Sequence, residues 1–398
     1  MCTVFLSEQH KSFSGAVCGV DIERCLPHEL TMSNKTDFEP FSTPAAELPD
    51  NPTRHAHAVS CWLFVVCFMV FAMVVLGGLT RLTHSGLSMV DWRPITGWLP
   101  PLNNGEWMAV FELYKESPQY LQMNKGMMVD EFKGIFWLEY IHRLVGRSIG
   151  IIFLLPFLFF MFRGWLDRRI VPTLVFFFFL GGMQGVLGWY MVKSGLADEP
   201  DVSQYRLTAH LGLAVLIYAL MFRFALRLRH GYGAVRPMIS PALIRLRRYA
   251  RILPFIVFFT LLSGGFVAGL DAGFTYNTFP LMDGSLIPDR LYDGAPAIIS
   301  AFEDVTTVQF NHRWFAISTL IIIAVFWAVS LRRRLGPAQR LAMNLLLFAA
   351  LGQVTLGIAT LLLVVPISLG ALHQAGAVVL LSATIYAVHT IEWGHVTK

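Results

Sequence analysis

The sequence predicts an all-α membrane protein in which eight transmembrane helices form two parallel, pseudo-repeated four-helix bundles. Three observations support this prediction: an apolar composition, eight long apolar stretches, and a second half that repeats features of the first. Of the 398 residues, 55% are hydrophobic and 14% are charged, whereas soluble domains carry about 25% charged residues. The shortage of charge indicates a surface that faces lipid.

Eight stretches are long enough to cross a bilayer, which requires about 20 predominantly apolar residues. The predicted spans are, in chain order, 59–79, 135–162, 170–192, 207–226, 252–270, 307–331, 341–365 and 367–389. The polar segment 1–57, which is mixed in charge, is predicted to be a disordered cytoplasmic tail, with Met32 as an alternative start to Met1. Its acidic residues argue against a mitochondrial presequence, which is usually poor in acid.

Lysine and arginine in the short connections set the expected orientation, because connections rich in them stay cytoplasmic. The second, fourth and sixth connections are rich in arginine, and the fourth includes a basic cytoplasmic linker at 231–250. The connection at 272–306 has one basic residue, Arg290, against five acidic ones. We therefore expect a multi-pass protein of the cell inner membrane with cytoplasmic N- and C-termini. The long connections 80–134 and 272–306 would face the periplasm or its equivalent.

Two features narrow the class of partner and cofactor. The net charge of +5 does not indicate a nucleic-acid partner, because the basic residues lie between apolar spans that contact membrane lipid. The five cysteines all lie within the first 67 residues and form no CxxC pair or zinc-ligand spacing, so no disulfide framework is implied.

The second half of the chain echoes the first, and four features recur in similar order. These are Gly77-Gly78 as Gly264-Gly265, the stretch 184–188 as 353–357, His142-Arg143 as His312-Arg313, and His210 as His373. Each unit holds four spans, an even number, so the two units have the same orientation and are related by an axis along the membrane normal. The predicted domains are an N-terminal bundle at 58–230 and a C-terminal bundle at 251–398.

Four histidines lie inside predicted spans, where an ionisable residue is costly and indicates function. They are His142, His210, His312 and His373. Each lies within two turns of the start of a helix that runs inward from the outer face, so the imidazoles should share one depth, two in each bundle. Such pairs are natural axial ligands for haem iron. The alternatives are hydrogen-bonded core histidines or a non-haem metal, which needs three or four converging ligands.

The residues around the first histidine of each pair differ between the two halves. Arg143 and Arg313 follow these histidines and are candidate partners for haem propionates, or else extend to the membrane interface. Glu139 precedes His142 by three residues on the same helix face, where the second half has Gln309. A buried glutamate near iron can transfer protons, whereas glutamine cannot. We therefore predict one reactive site and one electron-transfer or structural site. An ion pair between Glu139 and Arg143 is an alternative that is compatible with this role.

With these histidines, Glu139 and the surrounding motifs, the chain resembles the haem A synthase family over about residues 58–392. The matching tracts are 77–88 (GGLTRLTHSGLS), 91–101 (DWRPITGWLPP), 136–147 (FWLEYIHRLVGR), 278–284 (TFPLMDG) and 309–313 (QFNHR). The long first outer connection is similar to that of the proteobacterial and mitochondrial branch. Another branch carries cysteine pairs in the outer connections, and this chain has none there.

The resemblance implies a haem-dependent membrane oxidoreductase. It would oxidise the C8 methyl group of haem O by successive hydroxylations to a formyl group, giving haem A for terminal oxidase assembly. His142 and His210 would bind the substrate haem iron, His312 and His373 would bind the iron of a haem b cofactor, and Glu139 would be catalytic. An unidentified electron donor and, by analogy, a complex with haem O synthase are also implied.

Three other classes remain as alternatives. An electron-transfer cytochrome b often carries two histidines on one helix, whereas each span has one suitable ligand. A transporter with a pseudo-repeat would bind no haem. Haem O synthase would need aspartate-rich magnesium motifs, and none occurs near a span.

Overall fold

The computed structural model describes residues 52–91, 97–196, 202–229, 241–294 and 296–393. The α-helices of these ranges are, in chain order, α1 (Pro52–Leu82), α2 (Asn104–Lys115), α3 (Pro118–Gln122), α4 (Val129–Phe162), α5 (Val171–Gly195), α6 (Gln204–Leu228), α7 (Pro241–Ala250), α8 (Leu253–Gly269), α9 (Ala297–Glu303), α10 (Val305–Leu331), α11 (Pro337–Leu362) and α12 (Ile367–Trp393). A 3-10 helix, Ala272–Phe274, follows α8.

Among the described residues, eight spans are long and apolar enough to cross a membrane: α1, α4, α5, α6, α8 together with α7 from Leu243 onward, α10, α11 and α12. The predicted all-α fold with eight transmembrane helices is therefore confirmed. We call the side that holds the arginine-rich connections α4–α5, α6–α8 and α10–α11 the arginine-rich side. The opposite side, where α4, α6, α10 and α12 begin, is called the outer side.

Local sequence signals fix where several spans start. Proline occupies the first turn of α5, α8 and α11, a position that requires no backbone N–H donor and suits the fixed φ of proline. The side chains of Ser203 and Asp304 accept hydrogen bonds from the backbone N–H of Tyr205 and Thr307, at the starts of α6 and α10. These caps satisfy donors that the first helical turn leaves unpaired. They fix the starts of two of the helices that carry candidate histidines.

The spans pack in a connected arrangement. α1 contacts α4 and α6, and α5 contacts α6, while α8 contacts α10, α10 contacts α11, and α11 packs along α12. Contacts between these two sets join α6 to α8, and α12 to both α1 and α6. Because α1, α6 and α12 bury the largest share of their residues, they form the centre of the membrane region. The pseudo-repeat and the domain limits at 58–230 and 251–398 stay predictions.

The described chain extends the first span beyond its predicted start. α1 begins at Pro52, inside the segment predicted as the tail at 1–57, most of which lies outside the described residues. The ring of His55 stacks on Trp165 with 4.6 Å between the ring centroids. This contact ties the beginning of α1 to the connection between α4 and α5.

The first outer connection is partly helical. α2 packs on the outer end of α4 through an aromatic cluster: Phe111, Tyr114, Phe132, Phe136 and Tyr140. Tyr120 of α3 packs against this cluster. Burial raises the pKa of Tyr114, whose hydroxyl donates to Gln119 Oε1 at 3.1 Å. The packing explains why α4 begins at Val129, six residues before the predicted span at 135. The outer segment therefore has its own small core above the membrane region.

The predicted basic linker at 231–250 contains a helix. Residues 230–240 lie outside the described ranges, and residues 241–250 form α7. Leu243, Leu246 and Ala250 are buried, whereas Arg245 and Arg248 are exposed. α7 is therefore an amphipathic helix that packs its apolar face on the membrane region.

Candidate functional site

The four predicted histidines lie on the four helices that begin at the outer side. His210, His312 and His373 lie about two turns from the starts of α6, α10 and α12. His142 is about four turns into α4, which corrects the expectation that it lies within the first two turns. The reason is that α4 extends outward to pack against α2 and α3. All four imidazoles are half-buried.

The rings of His312 on α10 and His373 on α12 face each other. Their ring centroids are 6.4 Å apart and their planes are nearly perpendicular, at 87°. Because an imidazole nitrogen binds a metal at about 2 Å, two rings that share one ion have centroids about 6 to 6.5 Å apart. The spacing of this pair therefore fits two axial ligands of one haem iron.

The orientation of His312 is fixed by a hydroxyl group. The Oγ of Ser263 lies 2.8 Å from His312 Nδ1 and donates its proton to the carbonyl of Thr260 at 2.7 Å. A hydroxyl has one proton to donate, so its contact with the ring requires Nδ1–H as the donor. This tautomer leaves the lone pair of His312 Nε2 available for a metal.

A glutamine side chain braces each second histidine. Gln184 Nε2 donates to the carbonyl of His210 at 3.0 Å, and Gln353 Nε2 donates to the carbonyl of His373 at 2.9 Å. Each amide also lies near the ring, 3.3 Å from His210 Nε2 and 3.2 Å from His373 Nδ1. The Oε1 atoms of both glutamines are buried without a partner among the described residues. The two halves thus share the same support for the helix that carries the second candidate histidine.

Every candidate histidine packs its ring against a glycine of a neighbouring helix. The four pairs are Gly77 with His142, Gly188 with His210, Gly264 with His312, and Gly357 with His373. A Cβ atom at Gly357 would lie 2.8 Å from His373 Cε1, and one at Gly188 would lie 3.0 Å from His210 Cε1. Such close approach requires glycine. This explains why the Gly-Gly pairs and the Gln-x-x-x-Gly stretches recur in the sequence.

Glu139 is almost completely buried, with 2% of its surface exposed. Its Oε2 accepts hydrogen bonds from Ser88 Oγ and from the backbone N–H of Met89, both at 2.7 Å. Its Oε1 forms an ion pair with Arg143, four residues along α4. The predicted ion pair is therefore present, and the hydrogen bonds from Ser88 and Met89 tie the carboxylate to the segment that follows α1.

Gln309 has the matching contacts in the second half. Its Nε2 donates to the carbonyl of Ala272 at 2.7 Å, and its Oε1 accepts from Arg313 at 3.2 Å. Arg313 also donates to the carbonyls of Tyr276 and Thr278, at 2.5 and 2.7 Å. Each half therefore uses the same two positions to hold the outer segment. At this pair of matching positions, the first half has a carboxylate, Glu139, and the second half has an amide, Gln309.

The two arginines predicted as propionate partners contact the protein backbone. Arg143 donates to the carbonyls of Met89 at 2.9 Å and Asp91 at 3.2 Å, besides its ion pair with Glu139. The Nε of Arg313 is buried without a partner among the described residues. The arginines therefore position the outer segments, and their contact with propionates stays a prediction.

The Gly-Gly pairs also join the two halves. Gly78 lies against the side chain of Gln374, the neighbour of His373, whose Nε2 donates to the carbonyl of Val74 at 2.8 Å. A Cβ at Gly265 would lie 2.9 Å from Thr208 Oγ1, two residues before His210. The first glycine of each pair thus contacts a histidine of its own half, and the second contacts the helix that carries a histidine of the other half.

Sequence reasoning missed several residues that the structure places beside the histidines. Ser263 and the side chains of Gln184 and Gln353 are polar groups within apolar runs. The repeated Gln-x-x-x-Gly spacing was the available signal for the glutamines. His84 is exposed, and its Nδ1 lies 3.3 Å from Nη1 of Arg81, which pairs with Asp271 at 2.8 Å.

The alternative of a non-haem metal site gains no support. Within the described ranges, no group of three or more histidine, cysteine, aspartate or glutamate side chains could hold a metal ion. Two facing imidazoles with a gap of the right width suit a planar ligand bound from both sides. The donor set therefore fits haem.

Comparison with known proteins identifies the family. The family model COX15-CtaA, described as cytochrome oxidase assembly protein, matches residues 60–385. The protein of Nitrosospira multiformis named heme A synthase is 51% identical over 335 residues, which cover 84% of this chain and 93% of that protein. The heme A synthase of Nitrosomonas eutropha is 48% identical over 356 residues, covering 88% and 98%. The chain therefore belongs to the COX15-CtaA family of cytochrome oxidase assembly proteins, the haem A synthases.

Proposed function

We propose that this protein is a haem A synthase, a membrane oxidoreductase that converts the C8 methyl group of haem O into a formyl group for terminal oxidase assembly. One observation carries the proposal: two sites of similar construction differ in that only one has a buried carboxylate near its first histidine. The names of the relatives support the same activity. Haem iron bound between the histidines supplies the oxidative chemistry.

We assign the substrate haem to His142 and His210, because Glu139 lies on the same helix as His142. The surroundings of Glu139 suit a group that gains and loses a proton. Ser88 Oγ is within reach of Glu139 Oε2 at 2.7 Å and of the Ile135 carbonyl at 3.3 Å. When the carboxylate is charged, the hydroxyl donates a hydrogen bond to it. When the carboxyl group is protonated, the hydroxyl can accept a hydrogen bond from the carboxyl O–H and donate its own to the Ile135 carbonyl. Ser88 therefore accommodates both states of a proton-transferring Glu139.

We assign a haem b cofactor to His312 and His373. The 6.4 Å spacing of these rings and the hydrogen bond from His312 to Ser263 support a permanently bound haem. At the position that matches Ser263, α1 has Leu76, which offers no hydrogen bond to His142. The less restrained ring of His142 suits a site whose haem must enter and leave.

We also propose an inner-membrane location with both termini cytoplasmic. The arginine-rich connections all lie on one side of the eight helices, which supports this orientation. The electron donor and a complex with haem O synthase are further proposals, which rest on the family resemblance.

The experiment that tests this function is identification of the haems bound to the purified protein after co-expression with a source of haem O. Chromatography and mass measurement should find haem b together with haem O, a hydroxylated intermediate or haem A. Haem b alone, at two per chain, would instead indicate an electron-transfer cytochrome b. A protein that binds no haem would indicate a transporter.

A further inference from the structure

A cavity on the arginine-rich side lies far from the histidines. It has a volume of about 190 Å³ and is lined by Arg245, Leu246, Tyr249, Val329 and Arg333. Arg245, Leu246 and Tyr249 lie on α7. Val329 lies in the last turn of α10, whose other end carries His312, and Arg333 lies two residues beyond the end of α10. The cavity is therefore separate from both candidate haem sites.

The position of α7 places the cavity at the level of the membrane interface. α7 buries Leu243, Leu246 and Ala250 and leads directly into the membrane-spanning α8. Arg251, between the two helices, donates to Glu392 Oε1 at 2.9 Å, which anchors the junction to α12. Tyr249 remains 59% exposed. An amphipathic helix held in this way lies in the interface plane, with its basic residues at headgroup height.

The two arginines of the cavity have no counter-charge among the residues that the structure describes. Neither Arg245 nor Arg333 forms an ion pair with any described carboxylate, and Arg333 Nε is buried without a hydrogen-bond partner. The buried carboxylate on this side, Glu392, already pairs with Arg223 and Arg251. Two like charges that face one cavity repel each other unless an anion lies between them.

The lining defines the chemistry of the missing anion. Guanidinium groups match the oxygens of a phosphate in a bidentate way, and the hydroxyl of Tyr249 is a further donor. Leu246 and Val329 make the rest of the wall apolar. Val325, one turn before Val329 on the same face of α10, is 57% exposed and continues the apolar wall toward the bilayer. A small soluble anion would bury none of this apolar surface, whereas the acyl chains of a lipid would cover it.

We propose that this cavity binds the phosphate group of an anionic phospholipid, with the acyl chains lying along α10 past Val325. Basic pockets between helices at the membrane interface recognise lipid headgroups in this way. The bound lipid neutralises Arg245 and Arg333 and joins α7 to α10. This inference is independent of the proposed enzymatic function.

The test is thermal unfolding of the purified full-length protein in detergent during titration with phosphatidylglycerol, phosphatidylcholine or inorganic phosphate. Phosphatidylglycerol should raise the Tm, and the other two additions should not. The double variant Arg245→Gln, Arg333→Gln should weaken the apparent affinity for phosphatidylglycerol by about tenfold or more, because charge-assisted hydrogen bonds are lost. The matched control is Arg332→Gln, Arg334→Gln, which removes the same charge from exposed neighbours outside the cavity.

Three results would overturn the proposal. Equal weakening in the control variant would show a diffuse attraction of lipid to surface charge. An equal rise in Tm with phosphatidylcholine would show a general effect of lipid. A rise with inorganic phosphate that matches the rise with phosphatidylglycerol would show a site for free anions. The haem content of each variant, which should equal that of the unmodified protein, checks that the variants fold.

Discussion

Glu139 and Gln309 occupy matching positions, and each helps an arginine to hold the outer segment that follows a span. Their contacts differ in one respect: Glu139 accepts from a hydroxyl and a backbone N–H, whereas Gln309 donates to a carbonyl. A glutamine at position 139 could accept a hydrogen bond from Arg143 through its Oε1. Its NH₂ group would then face the hydroxyl of Ser88 and the N–H of Met89, which donate to the carboxylate of Glu139. The structural part of the role is therefore shared by the two residues, and the proposed proton transfer requires the carboxyl group of Glu139.

Glu139→Gln should keep haem binding and lose haem A production. General acid–base groups contribute roughly 100-fold or more to rate, so the yield of haem A should fall by at least about that factor. Chromatography of extracted haems measures the yield, and the absorbance of the purified protein measures haem binding. Gln309→Glu is the matched control and should leave haem A production in place. Full activity of Glu139→Gln would remove the catalytic assignment.

His312→Ala and His373→Ala should each lose the bound haem b, because each removes one of two opposed ligands. The haem b content per chain, measured after extraction, is the readout. His389→Ala provides a control on α12, since His389 lies about four turns beyond His373 on the same helix. Unchanged haem b in both ligand variants would contradict the two-site arrangement.

At the residue scale, the sequence located the groups that are unusual inside a membrane. The four histidines and Glu139 could be found because ionisable residues are rare in spans. Ser263 could not be found, because serine is common in transmembrane helices and its partner His312 lies on another helix. The backbone contacts of Arg143 and Arg313 were also missed, because they depend on how the outer segments fold back over α4 and α10.

At the scale of the element, each imidazole depends on a glycine in the adjacent helix. α11 offers a direct comparison, because Gly357 contacts His373 while a Cβ at Gly352 would meet nothing within 4 Å. α5 offers the same comparison between Gly188, which contacts His210, and Gly185, which faces open space. Substitution of these glycines separates the packing of the ring from the general effect of replacing glycine in a helix.

Gly357→Ala should weaken haem b binding, because the added methyl group overlaps the ring of His373. Overpacking of this kind costs about 1–3 kcal/mol. The ratio of haem b to protein and the shape of the Soret band measure the loss. Gly352→Ala, on the same helix, should retain haem b and gain about 0.5–1 kcal/mol in helix stability. Equal haem b loss in both variants would show that the ring contact is unimportant.

Gly188→Ala should lower haem A production while leaving haem b in place, because it displaces His210 and not the C-terminal pair. The yield of haem A and the content of haem b are measured on the same preparation. Gly185→Ala should match the unmodified protein in both. Loss of haem b in Gly188→Ala with haem A production retained would reverse the assignment of the two sites.

The ends of a helix can be predicted from the sequence where the length of an apolar stretch sets them. They are harder to predict where packing against other helices sets them. The predicted spans all lie within observed helices, apart from a few residues at their ends. The sequence predicts a linker where α7 forms, because the basic residues of this segment mask the apolar positions Leu243, Leu246 and Ala250. The outward extension of α4 depends on contacts with α2 and α3, which no property of residues 129–134 alone reveals.

At the scale of the whole molecule, the two halves meet through small residues. On α8, Gly265 and Gly269 form a Gly-x-x-x-Gly pattern, which lets transmembrane helices approach closely. A Cβ at Gly269 would lie 2.6 Å from the Cα of Gln204, at the start of α6. This is contact with backbone, which cannot rotate away as a side chain can. Since α6 carries His210 and α8 supports His312 through Gly264 and Ser263, this interface borders both candidate sites.

Gly269→Ala should therefore impair both sites at once, unlike the substitutions that act on one ring. The added methyl group forces α6 and α8 apart at their outer ends, so we expect a lower Tm, less haem b and less haem A. Thermal unfolding and haem extraction on one preparation give all three values. Gly86→Ala is the control on the outer side, because a Cβ there meets nothing within 4 Å. If Gly269→Ala lowered haem A production while Tm and haem b stayed unchanged, the α6–α8 contact would serve the N-terminal site alone, and the inference that the two sites share one packed interface would be wrong.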